Sequence, residues 1–352
     1  MREWGRPGFG MLGFHPLGGH AMLDSESMSR RGLLKVAGLT ALAAGLPASK
    51  LFAQPAAAGS PVSSGRALRL AHLTDLHIQR EKRAQQGVAM CLHHVQEHAK
   101  PDFILTGGDL VMDTFATPIE RSRALWDILN ATFKNECSIG IENCLGNHDV
   151  FGWHKEKAKS TGEEPFFGKR LALENLGLEK PYRAFKRGGW RFIVLDSVFP
   201  DGNGYIGKLD DEQMAWLDGE LAADTTTPTL VVSHIPILGM TMAAEDKANK
   251  AAKLPWNLMH ADGLAIHRKF VTAGNIRLCL SGHTHMHDRV ELGLPGLAHD
   301  APRVTYLCDG AVSGAWWGGR KNNCDEGYGV IDLYPDGRFE HHYSTYGWKA
   351  EG

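Results

Sequence analysis

Five short apolar runs in this chain each stop at a polar cluster, and this repetition constrains the fold more than any other feature. The clusters are Asp75-Leu76-His77, Gly108-Asp109, Gly146-Asn147-His148-Asp149, Ser233-His234 and Gly282-His283-Thr284-His285. The runs before them, residues 68–73, 103–106, 138–144, 230–233 and 276–281, read as strands. Helical spacing appears between them at 85–98, 119–133 and 210–221. Strands alternating with helices predict an α/β domain. In such a sheet the loops beyond the carboxyl ends of the strands gather at one edge. Clusters up to 210 residues apart in sequence are therefore expected in one site.

The residue types in these clusters point to metal. Asp and His are hard-to-borderline ligands that suit Zn, Mn or Fe. On an extended segment, alternate residues share a face, so Asp75 can sit beside His77 and His283 beside His285. Glycines next to Asp109, Asn147 and His283 let the backbone turn sharply. One carboxylate can bridge two cations roughly 3.5–4 Å apart, as in two-metal hydrolases.

In this order, D-x-H, G-D, G-N-H-D, H and G-H-x-H, the motifs resemble those of the calcineurin-like metallophosphoesterases over about residues 68–345. The D-x-H opening looks most like the bacterial cyclic-nucleotide phosphodiesterase branch. The resemblance implies a four-layer α/β/β/α sandwich of two mixed sheets flanked by helices. It implies two metal ions, Mn, Fe or Zn. Asp75, His77 and His285 would hold the first, Asn147, His234 and His283 the second, and Asp109 would bridge them. His148 would stand beside the substrate phosphate, stabilise charge or protonate the leaving oxygen, and be oriented by Asp149 through its second ring nitrogen. The implied reaction is in-line attack of a hydroxide shared by the two metals on a phosphodiester. Two departures narrow it. Asp109 is followed by Leu110-Val111-Met112-Asp113, without the Asp-Arg-Gly of protein phosphatases. Met112 stands where purple acid phosphatases carry a Tyr ligand, so no tyrosinate–iron centre is expected.

Other polar residues read as structural. His72 falls within the first strand and reads as core. His287 lies beyond the G-H-x-H pattern and reads as surface. His93, His94 and His98 read as a solvated helix face, and Asp113 as a cap. Trp316 and Trp317 divide evenly between substrate stacking and burial in the second sheet. Loops 152–170 and 239–256 are candidate substrate walls. Six cysteines lack any C-x-x-C pair, so no thiolate zinc site is indicated.

The N-terminus reads as an address. Ser29-Arg30-Arg31-Gly32-Leu33-Leu34-Lys35 precedes an uncharged, Ala-, Leu- and Gly-rich stretch at 36–49. It resembles a bacterial twin-arginine export signal, with Leu33 where Phe is commonest. The expected organisation is an N-terminal extension and signal at 1–53, a leader at 54–66 and a metallophosphoesterase domain at 67–347. Expected partners are a small phosphoester and the twin-arginine machinery, in a periplasmic or otherwise extracytoplasmic setting without a stable membrane anchor. Removing residues 1–53 leaves 32 basic and 37 acidic residues. That balance argues against a nucleic-acid partner. The competing readings are a periplasmic phosphomonoesterase scavenging phosphate and a non-catalytic, metal-binding envelope protein.

Overall fold

The structure, a computed structural model, describes residues 65–239, 256–293, 303–321 and 323–351. The expected signal and most of the leader lie outside these residues, as does the candidate wall at 239–256 apart from its two ends.

Two mixed sheets form the centre. The first runs in the order β13 (Phe339–Thr345), β12 (Gly327–Leu333), β1 (Leu68–Leu73), β2 (Phe103–Thr106) and β3 (Ile141–Glu142). Strand β1 pairs parallel with β2 and antiparallel with β12. The second runs β10 (Asp288–Leu292), β11 (Val304–Cys308), β9 (Ile276–Ser281), β8 (Thr229–Val232), β5 (Trp190–Val194) and β4 (Arg183–Arg187). Its central strands are parallel, and β4 and β10 close it antiparallel. A separate hairpin joins β6 (Val198–Asp201) to β7 (Gly204–Gly207).

The period of two in these strands explains the layers. Leu70, Phe103 and Leu105 of the first sheet meet Phe192, Val194, Leu230 and Leu280 of the second in a dry interface. The alternate residues Ala71, Leu73 and Ile104 face outward onto α1 (Ala84–His94) and α2 (Ile119–Glu136), through Val88, Leu92, Leu125 and Trp126. On the far side Ile193, Val231 and Cys279 meet α5 (Asp211–Ala223) and α6 (Gly263–Ala273), through Leu217, Ile266 and Phe270. The result is the four-layer α/β/β/α sandwich. Each fully buried Leu, Ile or Phe contributes roughly 1.5–3 kcal/mol of transfer free energy.

Several local features depart from the sequence pattern. Helix α1 continues as a π-helical turn, Val95–Ala99, and stops where Lys100 turns left-handed at φ 49°. The expected strand at 138–144 shrinks to Ile141–Glu142, a half-buried edge. The loop at 152–170 encloses a short helix, α3 (Lys155–Ala158), and leads into α4 (Arg170–Leu176). Strand β4, the β6–β7 hairpin, α6 and β10 are not among the elements expected from sequence; the strands are short or alternate weakly, whereas α6 carries a clear apolar face of Ile266, Phe270 and Val271. Asp210 caps α5 by accepting the Gln213 N–H at 2.8 Å. All six cysteines are free.

Candidate metal centre

The carboxyl ends of β1, β2, β8 and β9 converge, but the ligand side chains do not sit on extended backbone. Asp75, His77, Asp109, His283 and His285 all have left-handed φ, from 42° to 72°. Their convergence therefore comes from tight turns just past the strands rather than from strand alternation. Such backbone costs about 1–3 kcal/mol per residue and persists only where the surroundings over-determine it. Two glycines permit the crowding. A Cβ on Gly146 would fall onto the Asp109 carboxylate, and one on Gly282 onto Thr74 and Asp75.

Asp75, His77 and His285 form one buried group. His77 Nε2 and His285 Nε2 face each other at 3.0 Å. Asp75 Oδ2 accepts the Thr74 hydroxyl and the His283 N–H, at 2.6 and 2.8 Å. Asp75 Oδ1 is buried without a hydrogen-bond partner. It points between the two imidazoles, 3.3 Å from His285 Nε2 and 3.7 Å from His77 Nε2.

Asp109, His234 and His283 form the second group, joined by Asn147. His234 Nε2 lies 3.1 Å from His283 Nδ1, 3.2 Å from Asn147 Oδ1 and 3.3 Å from Asp109 Oδ1. Asp109 stands between the groups. Its Oδ1 faces His234, while Oδ2 lies 3.7 Å from His77 Nε2 in the first group.

The fit to cations follows from the tautomers. A carbonyl only accepts, so His234 Nδ1–H donates to Gly107 O at 2.7 Å and His283 Nε2–H to Asn257 O at 2.8 Å. His285 Nδ1–H likewise donates to Gly314 O. The remaining nitrogens, when neutral, carry lone pairs aimed at carboxylate and amide oxygens that also only accept. Acceptors turned on one another repel unless a cation lies among them. The donor set, Asp, Asn and His, suits Mn, Fe or Zn. Carbonyls behind the imidazoles are the usual support for metal-bound histidines.

Charge behaves accordingly. Burial disfavours the Asp75 carboxylate, yet His285 and His77 outweigh burial and hold it well below the usual range. Asp109 is likewise lowered against burial, by His234 and His148. Burial drives His77 down to about 4. Burial and His234 drive His283 to about 3. Burial opposes a proton on His234, but Asp109 prevails and lifts it to about 9. His285 rises against burial through Asp75. Each group thus holds one imidazole whose pKa is raised and one whose pKa is lowered. A bound cation would compete with protons for these nitrogens.

The last expected pair needs a correction. Asp149 does not orient the His148 ring. Its Oδ1 accepts Leu110 N and Val111 N at 2.9 and 3.2 Å, and its Oδ2 accepts Gly146 N at 2.8 Å. It clamps the Asp109 loop to the Asn147 loop. Burial and the like charge of Asp109 raise its carboxyl to about 7. The His148 ring is oriented instead by the Met112 carbonyl, which accepts its Nδ1–H. A backbone carbonyl was available in the adjoining loop, and the carboxylate was consumed by three N–H donors. His148 N donates to Asp109 Oδ1 at 2.8 Å, and its Nε2 lies 3.9 Å from Asp109 Oδ2.

The residues read as structural separate clearly. His72 is fully buried and donates from Nδ1 to Asp309 Oδ2 at 2.7 Å. His287 is half-exposed and stacks on His341. His93 pairs with Glu136 at the surface, and His94 meets the Tyr328 hydroxyl. Asp113 caps the turn at Phe115 and Ala116 rather than α2. The two tryptophans part company. Trp317 is core, against the first sheet's helices rather than in the second sheet, and Trp316 lines the depression over the metal groups. Tyr205, Leu258 and Lys321 also line it, and nothing in their sequence context marked them.

Comparison with known proteins agrees with this geometry. The model of the calcineurin-like phosphoesterase family matches residues 68–287. A probable cyclic nucleotide phosphodiesterase of Synechococcus sp. is 28% identical over 62% of this chain and 73% of its own length. A 3′,5′-cyclic-nucleotide phosphodiesterase of Nostoc sp. is 28% identical over 51% of this chain and 61% of its own. The crystal structure of a dimetal phosphatase from Danio rerio aligns with a TM-score of 0.52 at 12% identity, covering 79% of this chain and 96% of that one, a likeness of fold. With its motifs, its sandwich and a family match over more than half its length, the chain belongs to the calcineurin-like phosphoesterase family, and is a metal-dependent phosphoester hydrolase.

Proposed function

We propose that this protein is an exported phosphodiesterase that works with two metal ions. The observation that carries the reading is Asp109, whose two oxygens face two different donor groups. A structural site needs no such sharing and no acid at its edge. The names of the two relatives at 28% identity support a diester substrate over a monoester.

Ions held by Asp75, His77 and His285, and by Asn147, His234 and His283 with Asp109 between, would supply Lewis acidity and an acidified water. The chain's own residues do the rest. Asp149 keeps the Asp109 and Asn147 loops in register, so the donors stay preorganised. The Met112 carbonyl fixes the His148 ring with Nε2 turned to the Asp109 side. As the imidazolium, His148 stabilises charge on a phosphoryl oxygen through Nε2–H and hands that proton to the departing alkoxide, which leaves the neutral Nδ1–H tautomer that the Met112 carbonyl holds.

The Ser29–Lys35 element and the uncharged stretch after it support twin-arginine export to the periplasm. The acidic balance of the remaining chain supports a small substrate rather than a nucleic-acid polymer.

The test is metal content by plasma mass spectrometry, paired with turnover of bis(4-nitrophenyl) phosphate and 4-nitrophenyl phosphate before and after chelation. Near two metals per chain, with diester cleavage lost on chelation and restored by a divalent ion, is the expected result. Preference for the monoester would favour the phosphate-scavenging reading. Two metals without turnover of either ester would favour a binding protein.

A further inference from the structure

The Trp316-Trp317 pair carries an inference beyond the metal chemistry, resting on the phosphodiesterase reading. Both residues are left-handed, at φ 51° and 67°. Bulky residues hold that conformation only when something fixes the turn. Trp317 supplies the fixing. Its ring is 1% exposed, its indole N–H donates to His77 O at 3.0 Å, and it packs edge-on to Trp348. The anchored turn presents Trp316 to the site. Its ring lies 4.7 Å from that of His285 and 6.0 Å from that of His77. Lys82 holds its carbonyl at 3.1 Å. The Lys321 ammonium lies 5.2 Å from the ring centroid. The ring therefore meets a flexible, charged side chain as well as the two imidazoles.

The depression that Trp316 shares with Asp109 and His148 holds about 150 Å³. That falls short of the roughly 300–1,000 Å³ of sites that enclose a whole organic ligand. A phosphoryl group fits at its floor, and the ester arms must lie along its walls. The wall beside the Asp75, His77 and His285 group is an indole.

We propose that Trp316 is a specificity residue, the platform on which a flat aromatic arm of a phosphodiester, a nucleobase or aryl group, stacks. Stacking on an aromatic side chain is indifferent to ring substituents, because every such arm has a π-face.

Two ligand pairs isolate the platform on the metal-loaded protein. Bis(4-nitrophenyl) phosphate and ethyl 4-nitrophenyl phosphate share a leaving group and differ in the retained arm. Adenosine 5′-monophosphate and ribose 5-phosphate, measured by calorimetry, differ in the base. Trp316→Ala is expected to raise KM for the bis-aryl ester and Kd for the nucleotide by about 5- to 100-fold. kcat, metal content and the values for the ethyl ester and the sugar phosphate are expected to stay within about 3-fold, inside the spread ordinary for side-chain effects. Trp316→Phe should restore most of the difference, and Trp316→Leu, which keeps an apolar wall without a π-face, should not. Equal losses across both pairs, or no loss, would overturn the proposal. If the wild type cleaves neither diester, the diesterase reading fails, and the calorimetric pair still decides the platform. A base preference lost in Trp316→Ala supports it, and no base preference in the wild type overturns it.

Discussion

Two buried Asp–His constellations among the described residues are wired in opposite ways. Around Asp309, every contact is complementary. His72 meets one carboxylate oxygen at 2.7 Å and His341 the other at 2.9 Å. Donors face acceptors at both carboxylate oxygens, and the atom left without a partner, His72 Nε2, points away from them. Around Asp75 and Asp109, imidazole nitrogens face imidazole nitrogens at 3.0 and 3.1 Å, and Asp75 Oδ1 has no hydrogen-bond partner. The residue types are the same. What differs is whether the polar atoms satisfy one another. The first arrangement stabilises the fold, and the second needs a cation.

The comparison predicts that variants in the two constellations fail differently. Asp109→Asn should reduce phosphoesterase turnover by roughly 10³-fold or more, since the amide keeps one oxygen, loses the charge and no longer offers a donor to both ions. Plasma mass spectrometry should find clearly fewer than two metals per chain. Retention of both metals with full activity would refute the shared carboxylate.

Asp309→Ala should act the other way. Removing one partner of a buried ion network costs roughly 3–5 kcal/mol, because the remaining groups stay buried and unpaired. Urea denaturation should show that loss, while metal content of the folded fraction stays near two. Loss of metal without loss of stability would erase the distinction between the constellations.

His148→Ala probes the edge of the metal groups. Turnover should fall by about 10²- to 10⁴-fold, the range for one general acid, with metal content unchanged. Metal loss in this variant would make His148 a ligand. The smallest expected effect is in pH. Burial disfavours the Asp309 carboxylate, but His341 and His72 hold its pKa below the usual value. A depressed carboxyl contributes stability that is complete above its unfolded value of about 4 and is lost as pH falls below it. Unfolding free energy measured between about pH 5 and pH 2 should therefore fall less steeply in Asp309→Asn than in the wild type. Parallel slopes would remove Asp309 from the account.

Much of this was legible in the residue order. β1, β2 and β9 lie where apolar runs placed them, and the polar clusters at strand ends contain all seven candidate ligands, which the fold brings into two adjacent groups. Weak patterns hid the rest. β3 keeps only two residues of a seven-residue expectation because an edge strand needs little pairing. The even division of Trp316 and Trp317 had no solution in the sequence, since neighbouring identical residues carry no sign of which ring turns inward.

The sequence by itself determined an α/β domain, the ligand types and the likeness to a phosphoesterase family that implies the sandwich, because strand period and motif order are local properties. Only the tertiary structure decided which histidines are satisfied and which await a cation. It assigned the Met112 carbonyl, not Asp149, to His148, and the carbonyls of Gly107, Asn257 and Gly314 to the imidazoles of His234, His283 and His285. The physical reason is that a tautomer depends on what stands within 3 Å of each ring nitrogen. Backbone atoms from remote segments supply that partner, and no side-chain letter records them.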